Sequence, residues 1–250
     1  MRTSIFRGVV AAAAVWAMTG VAGAGVLQAY EVIVPGSSNI FGAGQAVAPD
    51  PDGGGGGTLP PTVVLPAVQS GAYFSIAAAF GEVSCCGTGE GNFNGPDGGS
   101  FASGNTDVTS FNGISGLIHN GRTMFLVGVF LGDSAPADPA PDRLDFSGGA
   151  DNEHEYFPLL NQSFFIGDGQ VNEAGTARHE ESQKFYLPAG ATRLALGFVD
   201  AFEFGNPSSP PGFYNDNFGE LTVVLGVVPA PGTAGLIGAA GLVAVRRRRA

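Results

Sequence analysis

LALGFVDAFEFGNPSSPPGFYNDNFGELTVVL, residues 194–225, begins as one strand and ends as another. Leu194, Leu196 and Phe198 alternate, so they share one face of an extended chain. Asp200 continues that phase. A carboxylate on the core-facing series at a strand's end requires a partner. The base before it, Arg193, has the opposite phase, and no other base follows before Arg246. Oxygens follow instead: Asn215, Asp216 and Asn217, just past Pro210-Pro211-Gly212. Clustered side-chain oxygens with no Cys or His beside them describe a site for a hard cation, Ca²⁺ above all. An Asx-rich turn that closes a hairpin by local hydrogen bonds fits the same residues.

The rest of the chain is consistent with a β setting for this stretch. It has 250 residues, enough for one large β domain with processing segments at both ends. Gly 41 and Pro 17 are high, charged residues make up only 13%, and aromatics reach 10%, with Phe alone at 19. Short Phe/Val/Leu runs broken by Gly, Pro, Asn and Asp predict an all-β fold, an antiparallel sandwich or jelly roll.

The net charge of −11 understates the acidity of the middle. Arg2 and Arg7 lie in the leader and Arg246 to Arg249 in the tail, so the segment between holds five bases against all 22 acids, a net of −17. Such a surface repels nucleic acid and anionic partners and suits a Ca²⁺-rich setting, although it also serves plain solubility. The two cysteines, Cys85 and Cys86, are adjacent, which is neither a disulfide framework nor a zinc spacing. A bond between them closes a strained eight-membered ring. Intermolecular pairing and two buried thiols are the alternatives.

Residues 1–24 read as a secretory signal peptide: basic Arg2 and Arg7, an apolar run from Gly8 to Met18, and an A-x-A cleavage site at Ala22-Gly23-Ala24. Strands are predicted over 26–34, 39–45, 62–65 and 73–80. The unbroken Gly53 to Gly57 is a loop and not a nucleotide cradle, since no Lys-Ser/Thr or helix follows. Residues 81–101 are loop chemistry around Pro96-Asp97-Gly98. Two apolar runs flank a His119-Asn120-Gly121 turn, and the second, 124–131, is apolar on both faces and must be covered on both sides. An acidic, Pro-rich insertion over 133–160, ending in Leu144, Phe146, Tyr156 and Phe157, is the expected cover. Ser163 to Ile166 runs into a hairpin-type Gly167-Asp168-Gly169 turn, and Phe185 to Leu187 leads back to the quoted stretch.

The domain is expected to span 25–226. Beyond it, Val228-Pro229-Ala230-Pro231 is followed by an apolar helix over 234–245 and by Arg246, Arg247, Arg248 and Arg249. The helix is shorter than the roughly 20 residues of a full span, and the arginines predict a cytoplasmic end.

Two parts resemble known families. The tail is similar to the PEP-CTERM sorting signal of bacterial exopolysaccharide producers, with Ala230 in place of the usual Glu. That resemblance implies export, recognition by an exosortase, transient anchoring in the membrane, and attachment to or release from the surface. The core resembles the PA-I-like galactophilic lectins, small galactose-binding β-sandwiches in which Ca²⁺ bridges protein and sugar hydroxyls. The match lies in Asp200 at a strand end, then Tyr214-Asn215-Asp216-Asn217-Phe218-Gly219 and a final strand. It implies Asp200, Asp216 and Asn217 as side-chain ligands, the Phe213 carbonyl as a backbone ligand, and a further carbonyl at Cys86 within Ser84-Cys85-Cys86-Gly87. Tyr214 joins Asp200, Asp216 and Asn217 in the ligand-binding set. Two features depart from the family. Thirteen residues (201–213) separate Asp from motif, and 97–112, where the family places its sugar-contacting His and Gln, contains neither. Metal binding therefore transfers better than galactose specificity.

The expected function is that of an exported, non-enzymatic surface or matrix module that binds Ca²⁺ and, through it, galactose-like glycans or exopolysaccharide. A structural matrix protein whose Ca²⁺ only ties loops together is the alternative. A hydrolase finds little support: the chain has no Gly-x-Ser-x-Gly elbow and no HExxH, its histidines (His119, His154, His179) fall in turn or insertion segments, and paired acids such as Asp151/Glu153 and Glu180/Glu181 are what an acidic surface carries.

Overall fold

The structure is a computed structural model that describes residues 26–51, 53–67, 70–89, 93–100, 104–172 and 179–230. The expected signal peptide with Ala22 and Ala24, and the tail from Pro231 through its helix to Arg246–Arg249, lie outside the described residues.

Alternating and fully apolar runs both become strands. In chain order these are β1 (Gln28–Pro35), β2 (Thr62–Val64), β3 (Tyr73–Ser84), β4 (Asn105–Val108), β5 (Leu117–Asn120), β6 (Val127–Leu131), β7 (Leu144–Asp145), β8 (Glu155–Tyr156), β9 (Ser163–Phe165), β10 (Gln170–Asn172), β11 (His179–Ser182), β12 (Lys184–Tyr186), β13 (Arg193–Gly197) and β14 (Phe218–Val228). They form a five-stranded sheet β1-β14-β3-β12-β8, a four-stranded sheet β2-β13-β6-β9, a three-stranded sheet β4-β5-β7 and a β10-β11 pair. Pairing is antiparallel except for β12 with β8 and β5 with β7. The fold is all-β, as the composition predicts.

Side chains of the two larger sheets meet in one core. Phe74 of β3 stacks on Phe185 of β12 at 4.8 Å and meets Phe130 of β6 edge-on at 5.7 Å. Phe130 in turn stacks on Phe164 of β9 at 5.2 Å. Fully buried aromatics of this size remove the most apolar surface per residue from water and dominate the core's energetics. The Tyr30 hydroxyl of β1 donates to the Val64 carbonyl of β2, which ties the sheets together at one edge.

Every residue of β6 is buried, as its two-faced apolarity demands. The insertion supplies part of the cover by becoming edge strands: β7 joins β5, β8 joins β12, and Phe146 and Tyr156 enter the core. Phe157 stays 69% exposed and stacks on Tyr186 at 4.6 Å on the outside.

Several local expectations are corrected. Residues 39–45 are not a strand but carry a 3-10 turn over Ile40–Gly42, because the Asn39 side chain accepts from the Phe41 N–H and donates to the Pro49 and Gly56 carbonyls. β3 runs on to Ser84 through the predicted loop, since β14 is long enough to pair its whole length. The Gly167–Gly169 turn does not close a hairpin, because β9 pairs with β6 while β10 pairs with β11. His119 lies in β5 and not in a turn. β14 passes the expected boundary at 226, and Val228 is paired with Tyr73 and buried.

The core predicts a contrast between two aromatics. Phe74→Ala is expected to lower stability by about 3–5 kcal/mol, whereas Phe157→Ala is expected to change it by less than about 1 kcal/mol. Urea unfolding of the two variants tests this, and equal losses would place the core elsewhere.

Candidate metal centre

β13 ends at Gly197, and its buried continuation sets the site. Leu194, Leu196, Phe198 and Asp200 are all buried, and so are Ala195 and Val199, so both faces of this segment are covered. Arg193, of opposite phase, turns away to donate to the Gly132 carbonyl. The 201–213 insertion folds back on itself: Ala201 bridges Pro211, and the Phe202 N–H donates to the Pro210 carbonyl at 2.8 Å. Its far end docks on β4 through paired backbone bonds between Ser209 and Asp107/Thr109. The long spacing between Asp200 and the motif is therefore an ordered excursion that returns the chain beside Asp200.

The Tyr214 hydroxyl joins the two ends of that excursion. It donates to the Phe198 carbonyl at 3.1 Å and accepts from the Asp200 N–H at 3.0 Å. Tyr214 thus positions Asp200 from within the core. Phe213 enters the turn in the left-handed region (φ 61°), and Tyr214–Asp216 form a 3-10 turn in which the Asp216 N–H donates to the Phe213 carbonyl at 3.2 Å. That carbonyl, an expected metal ligand, therefore already has one partner and keeps one lone pair.

The run of glycines is a bed for this turn. Gly57 donates to the Asn215 Oδ1 at 3.0 Å. A Cβ on Gly55 would fall 1.8 Å from the Asn215 amide, and one on Gly57 would fall 2.3 Å from the Ser37 carbonyl oxygen; both residues also have positive φ. Composition alone signalled a loop here, and nothing in the sequence paired it with residues 213–215.

The site's electrostatics are unusual. Asp200 is 1% exposed. Its Oδ1 accepts from the Ala201 N–H at 2.8 Å, but its Oδ2 is buried without a hydrogen-bond partner. The Asn217 Nδ2 donates to the Gly36 carbonyl at 3.1 Å, which leaves the Asn217 Oδ1 buried and equally unpartnered. Burial pushes the Asp200 carboxyl well above the usual carboxylate range and the Asp216 charge adds to this, while the nearby Asn217 amide and the Ala201 N–H pull the other way. Asp216 is also raised by burial. Tyr214 is raised well above its ordinary value, first by burial and then by the Asp200 charge.

Four of the five expected metal residues, Cys86, Asp200, Phe213 and Asp216, line one cavity of about 280 Å³. Cys85, Ala201, Phe202, Glu203 and Phe204 complete its wall; Glu203 carries no motif that would single it out in the sequence. The fifth, Asn217, is the neighbour whose side chain acts on Asp200. Two buried oxygens that make no hydrogen bond would supply two of the six to eight ligands a Ca²⁺ ion takes, and the oxygen chemistry fits a hard cation. Among the described residues no group of three or more His, Cys, Asp or Glu side chains converges on a point, so a cation here must draw on amide, carbonyl or water oxygens besides the two carboxylates.

Cys85 and Cys86 are disulfide-bonded to each other, which decides among the three readings of the pair. Of the other acids considered for chemistry, Asp151 and Glu181 are engaged. Asp151 meets the His119 Nε2 at 3.3 Å and the Arg122 Nε at 3.2 Å and is held below the usual carboxylate range, chiefly by His119. Glu181 pairs with His154 at 3.2 Å on the surface. Comparison with family models, characterised proteins and solved structures finds no match to this chain. Among the described residues no helix is long and apolar enough to cross a membrane.

The buried carboxyl makes stability pH-dependent in a fixed direction. In the folded chain Asp200 keeps its proton to higher pH than its ordinary value of 3.8. Between the two values the folded state binds more protons than the unfolded state, so stability falls as pH rises through that window. Asp200→Asn removes this loss. In EDTA, the variant's stability relative to the parent is expected to rise from about pH 4 to about pH 7. A pH-independent difference in urea unfolding would mean that Asp200 ionises freely in the folded chain.

Proposed function

We propose that this chain is an exported, non-catalytic surface or matrix protein whose β-sandwich core, of the galactose-binding jelly-roll type, binds Ca²⁺ at Asp200, Asp216 and Asn217. The two buried oxygens that make no hydrogen bond, Asp200 Oδ2 and Asn217 Oδ1, carry this reading. Leaving both unsatisfied costs several kcal/mol on the order expected for buried polar groups, and a divalent cation removes that cost. Carbonyl ligands from Phe213 and Cys86 belong to the same proposal.

A glycan is the proposed ligand of the bound cation. Ca²⁺ accepts six to eight oxygens, and the protein supplies fewer from its side chains, so vicinal hydroxyls can replace water. The exposed rings of Phe202 and Phe213, 5.2 Å apart beside the acidic groups, supply an apolar wall for a sugar's C–H face. A purely structural Ca²⁺ is the second reading. It is favoured by the way the site joins three separated segments, with the Gly87 N–H already bonded to the Asp216 carbonyl at 3.2 Å. Export through the leader, and sorting by an exosortase through Val228, Pro229, Pro231 and the terminal arginines, complete the proposal. They rest on the sequence resemblance alone.

Thermal unfolding of the full chain in EDTA, in Ca²⁺ and in Ca²⁺ plus galactose tests both readings. A ligand at about 100 times its Kd stabilises the folded state by about 2.7 kcal/mol. The expected result is a Ca²⁺-dependent rise in Tm that Asp200→Ala abolishes, with a further rise on adding galactose. A Ca²⁺ shift with no sugar shift favours the structural site, and no shift at millimolar Ca²⁺ overturns both.

A further inference from the structure

The disulfide lies in the wall of the cation cavity. Cys85 is buried at 2% exposure, while Cys86 is exposed. The turn that carries them is short and internally tied: the Ser84 hydroxyl donates to the Gly87 carbonyl at 2.7 Å and accepts from the Cys86 N–H at 3.4 Å. Ser84 is the last residue of β3 and stands opposite Phe218, the residue after Asn217. At the other end of the turn the Gly87 N–H donates to the Asp216 carbonyl. The disulfide turn is thus fastened on both sides to the segment that carries Asp216 and Asn217.

We infer that the Cys85–Cys86 disulfide is a redox switch on the cation site, its closed ring holding the cavity wall in place and its reduction weakening Ca²⁺ binding. This rests on the cation reading proposed above. The reductant is a dithiol. Its thiolate attacks the exposed Cys86 sulfur; the S–S bond breaks, and its electron pair leaves on the Cys85 sulfur, which takes up a proton. The reagent's second thiol then attacks the mixed disulfide and releases Cys86 as a thiol. Two electrons pass to the protein, and the dithiol leaves as a cyclic disulfide. With the ring open, the Cys86 backbone and side chain regain rotational freedom, and cation binding must order them again.

Coupling of this kind is reciprocal. If the oxidised form binds Ca²⁺ about tenfold more tightly, saturating Ca²⁺ makes the disulfide harder to reduce by about 30 mV for this two-electron couple. The test is calorimetric titration of Ca²⁺ into the oxidised full chain, into the same protein reduced by a dithiol with two thiols counted per chain, and into a Cys85→Ser/Cys86→Ser variant checked for fold by circular dichroism. The expected result is an affinity about tenfold lower in the reduced protein and in the variant, with the variant insensitive to dithiol. Thiol release from the oxidised protein is expected to slow when Ca²⁺ is present. Equal affinity before and after two thiols are released overturns the switch and leaves the cation site standing. No thiol released from the folded chain also overturns the switch. No Ca²⁺ binding to the oxidised chain overturns the switch and the cation site together. If the variant does not fold, the reduced parent protein decides alone.

Discussion

The Tyr214 hydroxyl is bonded in two directions inside the core, to the carbonyl of Phe198 and the N–H of Asp200. A buried phenol must find partners, and here both partners sit where β13 runs out. The bond holds the 214–217 turn against the strand end across an excursion of thirteen residues. Remove that tie and Asp200, Asp216 and Asn217 are three polar residues on two unrelated loops. With it, Asp200 and Asp216 line one cavity with Asn217 beside them, and part of its wall comes from the cysteines after β3.

What results is a site that works against the stability of the metal-free chain. The Asp200 carboxyl is desolvated, which raises its pKa, and its Oδ2 makes no hydrogen bond. The Asn217 amide repeats the pattern, because its nitrogen is committed to the Gly36 carbonyl. The fold tolerates this because the load is local. The phenylalanine core between the larger sheets, from Phe74 to Phe130, Phe164 and Phe185, does not depend on it. Polar groups left unsatisfied beside a well-packed core are where binding sites are found, since ligand oxygens or cations complete them.

The cavity also gathers features that look unrelated along the chain. Gly55 gives room for Asn215 to lie against the backbone, and the Gly57 N–H donates to it. The vicinal disulfide forms part of the wall of the cavity that Asp200 lines. The insertion at 201–213 places the Phe202 ring against Phe213 at the mouth. Each is an ordinary loop element by itself, and they come together only because β3, β13 and β14 bring their ends to one place.

By itself the sequence determined the all-β class, the strands β1, β2, β3, β6, β9, β12, β13 and β14 in outline, and the grouping of Asp200 with Asp216 and Asn217. Alternation, two-faced apolar runs and Asx-rich turns are local signals, written in residues close together. The tertiary structure alone decided the rest. Asn39 turned an apolar run into a 3-10 turn because its carbonyl partners lie at Pro49 and Gly56. β9 and β10, adjacent in sequence, joined different sheets because their partners are distant. The cysteines bonded to each other, and Cys86 came to the wall beside Asp200, because β3 continued to Ser84 alongside β14. That the Asp200 and Asn217 oxygens are left without donors is visible only once every neighbour is in place, because a missing hydrogen bond is a property of the packed surroundings and not of the residue.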